Sequence, residues 1–141
     1  MTPEKRKSHI GKKLKKAGFK ITPQRTAIME YLMTSREHPS AETIYKELRK
    51  VYPSLSRNTV YEALDSFERQ RLVFDIIDRD GIRRYDAHTE PHIHLICLEC
   101  GEIIDVPYDD RRILSKVKNQ FIPEKSVFYI YGRCKNEKEA N

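Results

Sequence analysis

Between Asp86 and Asp105 the chain gathers carboxylates, imidazoles and thiols that no hydrophobic core requires. His92 and His94 stand two apart in an apolar run, and on an extended strand that spacing puts both imidazoles on one face, with Ile93 and Leu95 on the other. Asp86 precedes this strand and Asp105 falls in the next. Two neutral imidazoles with two hard carboxylates suit iron(II), manganese(II) or zinc(II), and the oxygen share favours iron or manganese. Cys97 and Cys100 form a second, separate site. The chain has three cysteines, which cannot pair evenly. A close Cys-x-x-Cys is more often metal-binding or redox-active than a structural disulfide.

The elements that must hold these groups can be read around them. His92 to Cys97 and Glu102 to Pro107 are expected as paired strands joined by the Cys97-Leu98-Glu99-Cys100-Gly101 knuckle. A polar segment from about Tyr108 to Gln120 has Ile113, Leu114 and Val117 at helical spacing, and Val127 to Tyr131 is a last strand rich in β-formers. Thr89-Glu90-Pro91 reads as a hinge. Open strand edges and an apolar last strand point to a dimerisation domain.

Upstream the pattern is helical. The first twenty residues contain eight basic side chains, Lys15 among them, against the single acid Glu4. Ile10, Leu14 and Ala17 recur at helical spacing before Gly18, which suits a C-terminal cap, so a short helix with a cationic outer face is expected. Thr22-Pro23 opens a second helix with Ala27, Ile28, Tyr31 and Leu32 as its buried stripe. His38-Pro39-Ser40 ends it and caps a third, in which Ile44 and Leu48 face inward; on its own, His38 in such a turn reads as a surface residue. Ser56 caps a helix from about Arg57 to Gln70 with Val60, Ala63, Leu64 and Phe67 on one face. Arg57, Asn58 and Tyr61 occupy its first turns and the acids come later, an order that suits a recognition helix entering a major groove N-terminus first. Leu72 to Asp78, the turn Arg79-Asp80-Gly81, and Ile82 to Asp86 form a hairpin carrying Arg79, Arg83 and Arg84. Helices ending in a recognition helix and followed by such a hairpin spell a winged helix-turn-helix.

The 141 residues allow one domain or two small ones, and the net charge of +6 lies wholly before His92. A basic first half and a neutral, ligand-rich second half suit a nucleic-acid-binding module joined to a sensing and assembly module. No apolar run is long enough for a membrane span, and no signal-peptide core follows the charged N-terminus, so a cytoplasmic protein without membrane association is expected. The fold class is therefore α+β: a winged helix-turn-helix over residues 1–88, a hinge at 89–91 and a small α/β dimerisation and metal-sensing domain over 92–141.

Ile21-Thr22-Pro23-Gln24-Arg25, His38-Pro39-Ser40-Ala41, Asn58-Thr59-Val60-Tyr61, Arg84-Tyr85-Asp86, the run from His92 to Gly101, Ile104-Asp105 and Tyr131-Gly132-Arg133-Cys134 together resemble the ferric uptake regulator (Fur) family, in order and with compatible spacing. The resemblance implies a homodimeric bacterial repressor that binds palindromic double-stranded operator DNA and is not an enzyme. It places the regulatory metal on His38, Asp86, His92, His94 and Asp105. Because these residues come from both domains, metal binding would stabilise one inter-domain angle and one spacing of the recognition helices. Aspartate at both 86 and 105 resembles the peroxide-sensing branch (PerR), where iron(II) makes the protein reactive toward hydrogen peroxide and ligand histidines, here His38 and His92, are oxidised; manganese(II) would give an insensitive repressor and zinc(II) could substitute. Lys15, Arg57, Asn58 and Tyr61 are the expected DNA contacts. The alternatives are an iron-responsive or zinc-responsive repressor of metal uptake and, from another class, a non-haem iron enzyme using two histidines and a carboxylate. The chain departs from the family at the structural zinc: Cys97, Cys100 and Cys134 are present, but Glu137 stands where a fourth cysteine would be. Closed zinc sites use cysteine and histidine, so this reading favours no stable structural zinc.

Overall fold

A computed structural model describes residues 1–35 and 37–135, in two compact units: residues 1–77 with 82–89, and 78–81 with 90–135. None of the described helices is long and apolar enough to cross a membrane.

In the first unit each helix begins where a side-chain oxygen satisfies a free backbone N–H of the first turn. Thr2 caps α1 (Pro3–Lys16), Thr22 caps α2 (Pro23–Thr34), Ser40 caps α3 (Ala41–Leu48) and Ser56 caps α4 (Arg57–Arg69), each accepting from the N–H three residues on. Gly18, at φ +88°, ends α1 with Phe19 N–H donating to Leu14 C=O at 2.9 Å and Gly18 N–H to Lys15 C=O at 3.0 Å, a Schellman closure. The core joins Ile10 and Leu14 of α1, Ile28, Met29 and Leu32 of α2, Ile44 and Tyr45 of α3, and the full expected face of α4, Val60, Ala63, Leu64 and Phe67. Two helix faces differ from expectation. In α2 the buried stripe is Ile28, Met29 and Leu32, with Ala27 and Tyr31 only partly covered, and in α3 Tyr45 is buried while Leu48 lies at the core's edge. Both helices are packed on more than one side, so the buried arc is set by their neighbours.

The hairpin is shorter than the sequence run: β1 (Phe74–Ile77) pairs antiparallel with β2 (Arg83–Asp86). Asp80 N–H donates to Asp78 Oδ1 at 2.9 Å and Gly81, at φ +79°, bonds back to Asp78 C=O at 3.1 Å, so the turn begins at Asp78. Ser40 bridges to Arg84, and Tyr85 N–H donates to Pro39 C=O at 3.0 Å. The turn between α2 and α3 is thereby laced to β2.

The second unit holds one sheet in the order β4-β3-β5, with β3 (His92–Cys97) antiparallel to β4 (Ile103–Pro107) and parallel to β5 (Phe128–Gly132). A parallel return needs a crossover, supplied by residues 108–127 with the short helix α5 (Arg111–Val117). The alternation of side chains gives this sheet two unlike faces. His92, His94 and Ile96 share one face with their partners Pro107, Asp105 and Ile103 and with Tyr129 and Tyr131; Ile93 and Leu95 share the other with Val106, Ile104, Phe128 and Ile130.

Candidate metal centres

His38 sits at φ +50°, in the left-handed region that histidine visits more often than most residues. The lacing of Pro39 and Ser40 onto β2 holds this turn beside Asp86 at the end of the strand, and His38 Nε2 lies 3.5 Å from Asp86 Oδ2. Arg84 reinforces the turn by donating to His38 C=O at 3.3 Å. The other carboxylate oxygen, Asp86 Oδ1, accepts from His88 N–H at 2.8 Å and lies 3.1 Å from His88 Nδ1. His88 was not singled out by its sequence position, although Asp followed two residues later by a residue whose N–H it can bond is a standard turn signal.

In the second unit the strand register performs the assembly. His94 and Asp105 are direct cross-strand partners, and His94 Nδ1 lies 2.9 Å from Asp105 Oδ1. The His92 and His94 rings meet edge to face with centroids 4.4 Å apart. His92 Nδ1 donates to Glu90 C=O at 2.6 Å, since a carbonyl can only accept, which leaves Nε2 as the nitrogen available to a metal. That Nε2 lies 3.8 Å from Asp105 Oδ1. Within each unit the expected ligands are therefore neighbours: His38 with Asp86, and His92 with His94 and Asp105. The donor set of imidazole nitrogen and carboxylate oxygen fits iron(II) or manganese(II).

The thiols converge as well. Cys97 ends β3, and the Cys97↔Gly132 register carries Cys134 alongside it, two residues past β5. Gly101, at φ +79°, folds the knuckle back so that its N–H bonds Cys97 C=O at 2.9 Å. The Cys97, Cys100 and Cys134 sulfurs all lie within 4.8 Å of one another, and Cys100 and Cys134 Sγ are 3.8 Å apart. The Cys100 and Cys134 N–H groups each donate to Cys97 Sγ at 3.4 Å, and these bonds bring the Cys97 thiol down to about 6. The sulfurs of Cys97 and Cys100 beside Cys134 push its thiol up to about 12. Three convergent sulfurs with backbone donors aimed at one of them fit a soft divalent cation such as zinc(II), a more favourable geometry than the incomplete cysteine pattern suggests. Glu137 lies outside the described residues.

The recognition-helix side chains are less free than their sequence suggests. Arg57 grips the Glu42 carboxylate with Nε and a terminal nitrogen at 3.0 to 3.3 Å and stacks over the Tyr45 ring at 4.6 Å. The acids of α4 do come late in the helix, but Glu42 of α3 brings a carboxylate to its N-terminus. Asn58 donates to Glu62 at 3.2 Å, while Tyr61 is 44% exposed and Lys15 is exposed. On the wing, Arg83 is held by Asp75 at 3.0 Å and Asp65 at 2.8 Å, so its charge is answered within the fold.

The profile of the ferric uptake regulator family matches residues 16–128. The chain is 40% identical over 129 residues to the peroxide-responsive repressor PerR of Staphylococcus epidermidis, covering 89% of this chain and 86% of that protein. Among solved structures, the Campylobacter jejuni peroxide stress regulator is 31% identical with a TM-score of 0.66, covering 96% of this chain and 98% of that one. The ferric uptake regulator of Pseudomonas aeruginosa with manganese is 28% identical with a TM-score of 0.71, covering 89% and 98%. With a matching profile over most of its length and relatives alike over nearly all of theirs, the chain belongs to the ferric uptake regulator family.

Proposed function

We propose that the protein is a cytoplasmic, metal-dependent transcriptional repressor that binds palindromic operator DNA as a homodimer and releases it in response to hydrogen peroxide. The observation that carries this reading is the pair of aspartates, Asp86 and Asp105, each within 3.5 Å of a histidine nitrogen, in a chain 40% identical to a protein named as a peroxide-responsive repressor. The residues divide into a DNA-binding domain (1–88), a hinge (89–91) and a dimerisation and metal-sensing domain (92–141). The proposed regulatory ligands are His38, Asp86, His92, His94 and Asp105, with iron(II) or manganese(II) as the metal and zinc(II) able to substitute. The exposed apolar side chains Ile104, Val106 and Ile130 on one sheet face, with Ile113 and Val117 of α5, support a homodimer. Lys15, Arg57, Asn58 and Tyr61 are the proposed DNA contacts; the reading is of a regulator, with hydrogen peroxide as signal and no substrate turned over.

Held by these residues, iron(II) would promote cleavage of the O–O bond of hydrogen peroxide, and overall one peroxide converts one imidazole C–H to C–OH with release of one water. His38 and His92 are the side chains that take up oxygen, and an oxidised imidazole is a poorer donor, so the ligand set fails and the DNA-binding form of the dimer is no longer favoured. Affinity for metal and affinity for DNA are linked, so losing the metal weakens DNA binding by the coupling factor between the two.

The test is peptide mass spectrometry of the iron(II)-loaded protein after a brief, low dose of hydrogen peroxide, beside a manganese(II)-loaded control. A one-oxygen gain confined to peptides containing His38 or His92, and only with iron, is expected. Unmodified histidines in a protein that holds iron would instead favour an iron-responsive repressor of metal uptake.

A further inference from the structure

The three-cysteine cluster is one donor short of the four that a closed tetrahedral zinc site takes. The family's usual place for that donor is 137, occupied here by glutamate. A carboxylate stands at the edge of the cluster: Glu102 reaches Cys134, although it is not one of the groups that converge within 4.8 Å. Glu102 stands across the knuckle from Cys97, its C=O accepting the Cys97 N–H at 2.9 Å. This bond and the Gly101 turn fix where its side chain starts. The Cys134 Sγ–H donates to Glu102 Oε2 at 3.6 Å. One cavity of about 490 Å³ has Cys97, Glu102 and Cys134 together in its wall.

We propose that Glu102 supplies the fourth donor of a three-thiolate, one-carboxylate zinc site with Cys97, Cys100 and Cys134. Cys97 and Glu102 are joined by a backbone hydrogen bond of the β3–β4 hairpin and Cys134 follows from the β3–β5 register, so the carboxylate is delivered by the same elements that deliver the sulfurs. Glu102 Oε2 already lies 3.6 Å from the Cys134 sulfur, and rotation of this exposed side chain would bring the carboxylate onto a cation held by the three sulfurs. A carboxylate is a harder donor than the thiolate it replaces, and zinc accepts it at a normal bond length. The site would therefore close and still exchange its metal more readily than an all-cysteine one. Nothing in this inference depends on the peroxide reading.

The test uses the full-length protein and metal ions alone. Cobalt(II) is substituted for zinc, because thiolate-to-cobalt charge transfer reports the cysteine site without interference from the histidine-carboxylate site, and zinc retention is measured against a chromophoric chelator. Glu102→Gln is expected to release zinc roughly tenfold more readily or more, with a changed ligand-field spectrum. Glu137→Gln should behave as the unsubstituted protein, and Glu102→His, which restores a strong zinc donor, should restore retention. Circular dichroism of the zinc-free proteins separates loss of a ligand from loss of fold. Equal retention by Glu102→Gln and the unsubstituted protein, loss in Glu137→Gln instead, or no thiolate–cobalt absorption from the unsubstituted protein would each overturn the assignment.

Discussion

Arg57 shows how far a residue's role depends on what lies beside it. As a cation in the first turn of α4 it reads as a DNA contact, and so it remains in the proposal, but its guanidinium is shared with Glu42 and laid over Tyr45. That carboxylate repels phosphate and orients the arginine, so the pair should trade general affinity for discrimination. Glu42→Gln is expected to tighten binding to random duplex DNA and to steepen its salt dependence by about one phosphate contact, while the preference for operator falls; fluorescence anisotropy across a salt series on both DNAs reads this out. An unchanged salt slope would mean that Arg57 does not reach the backbone. At this scale the site was partly legible. His92 and His94 share a face because strands have a period of two, and Cys97 and Cys100 announce themselves by spacing. Glu42 and Glu102 gave no such signal, because an isolated glutamate is usually solvated surface and each acquires its role from a neighbour fifteen or more residues away.

Among the elements, α4 is held at both ends by local chemistry. Ser56 Oγ accepts the Thr59 N–H at 3.0 Å, and at the other end Leu72 N–H reaches Phe67 C=O and Arg71 N–H reaches Glu68 C=O, both at 2.9 Å. This second closure is the one that ends α1, with Arg71 at φ +58° in the place glycine takes there. A left-handed conformation costs an L-residue about 1–2 kcal/mol, part of which glycine returns as extra freedom in the unfolded chain. Arg71→Gly should therefore raise the stability of the protein by about 0.5–1 kcal/mol in denaturant unfolding, whereas Arg71→Ala, which keeps a Cβ there, should give no such gain. Most caps and the face of α4 could be read ahead of the structure because they are set within four residues, whereas the buried arcs of α2 and α3 depend on the elements packed around them. The ends of β1, β4 and α5 could not, since strand ends are decided by the partner strand, and α5 buries none of its described side chains.

Over the whole molecule, the charge asymmetry and the two units point to division of labour, with a basic helical unit and a weakly acidic sheet unit that must cover its apolar face. Ile130 is 54% exposed on β5, on the face it shares with Ile104 and Val106. Placing a charge there should oppose the proposed association of two copies. Ile130→Glu is expected to shift the protein from dimer to monomer in sedimentation velocity while the circular dichroism of the helices persists; a dimer of undiminished affinity would assign the interface to another surface. The sequence by itself determined most of the helix caps, the α4 face, the hairpin turn, the period-two pairing of His92 with His94 and the Cys97–Cys100 pair, because each follows from side-chain chemistry or from a repeat of about one helical turn or less, while His38 reads as a ligand only through the family resemblance. Only the tertiary structure decided that the His38 turn is laced to β2 beside Asp86, that Asp105 stands opposite His94, that Cys134 joins Cys97 and Cys100, and that Glu42 and Glu102 lie against a cation and a thiol. Those are matters of strand register and of contacts between residues far apart in the chain, which local propensity does not encode.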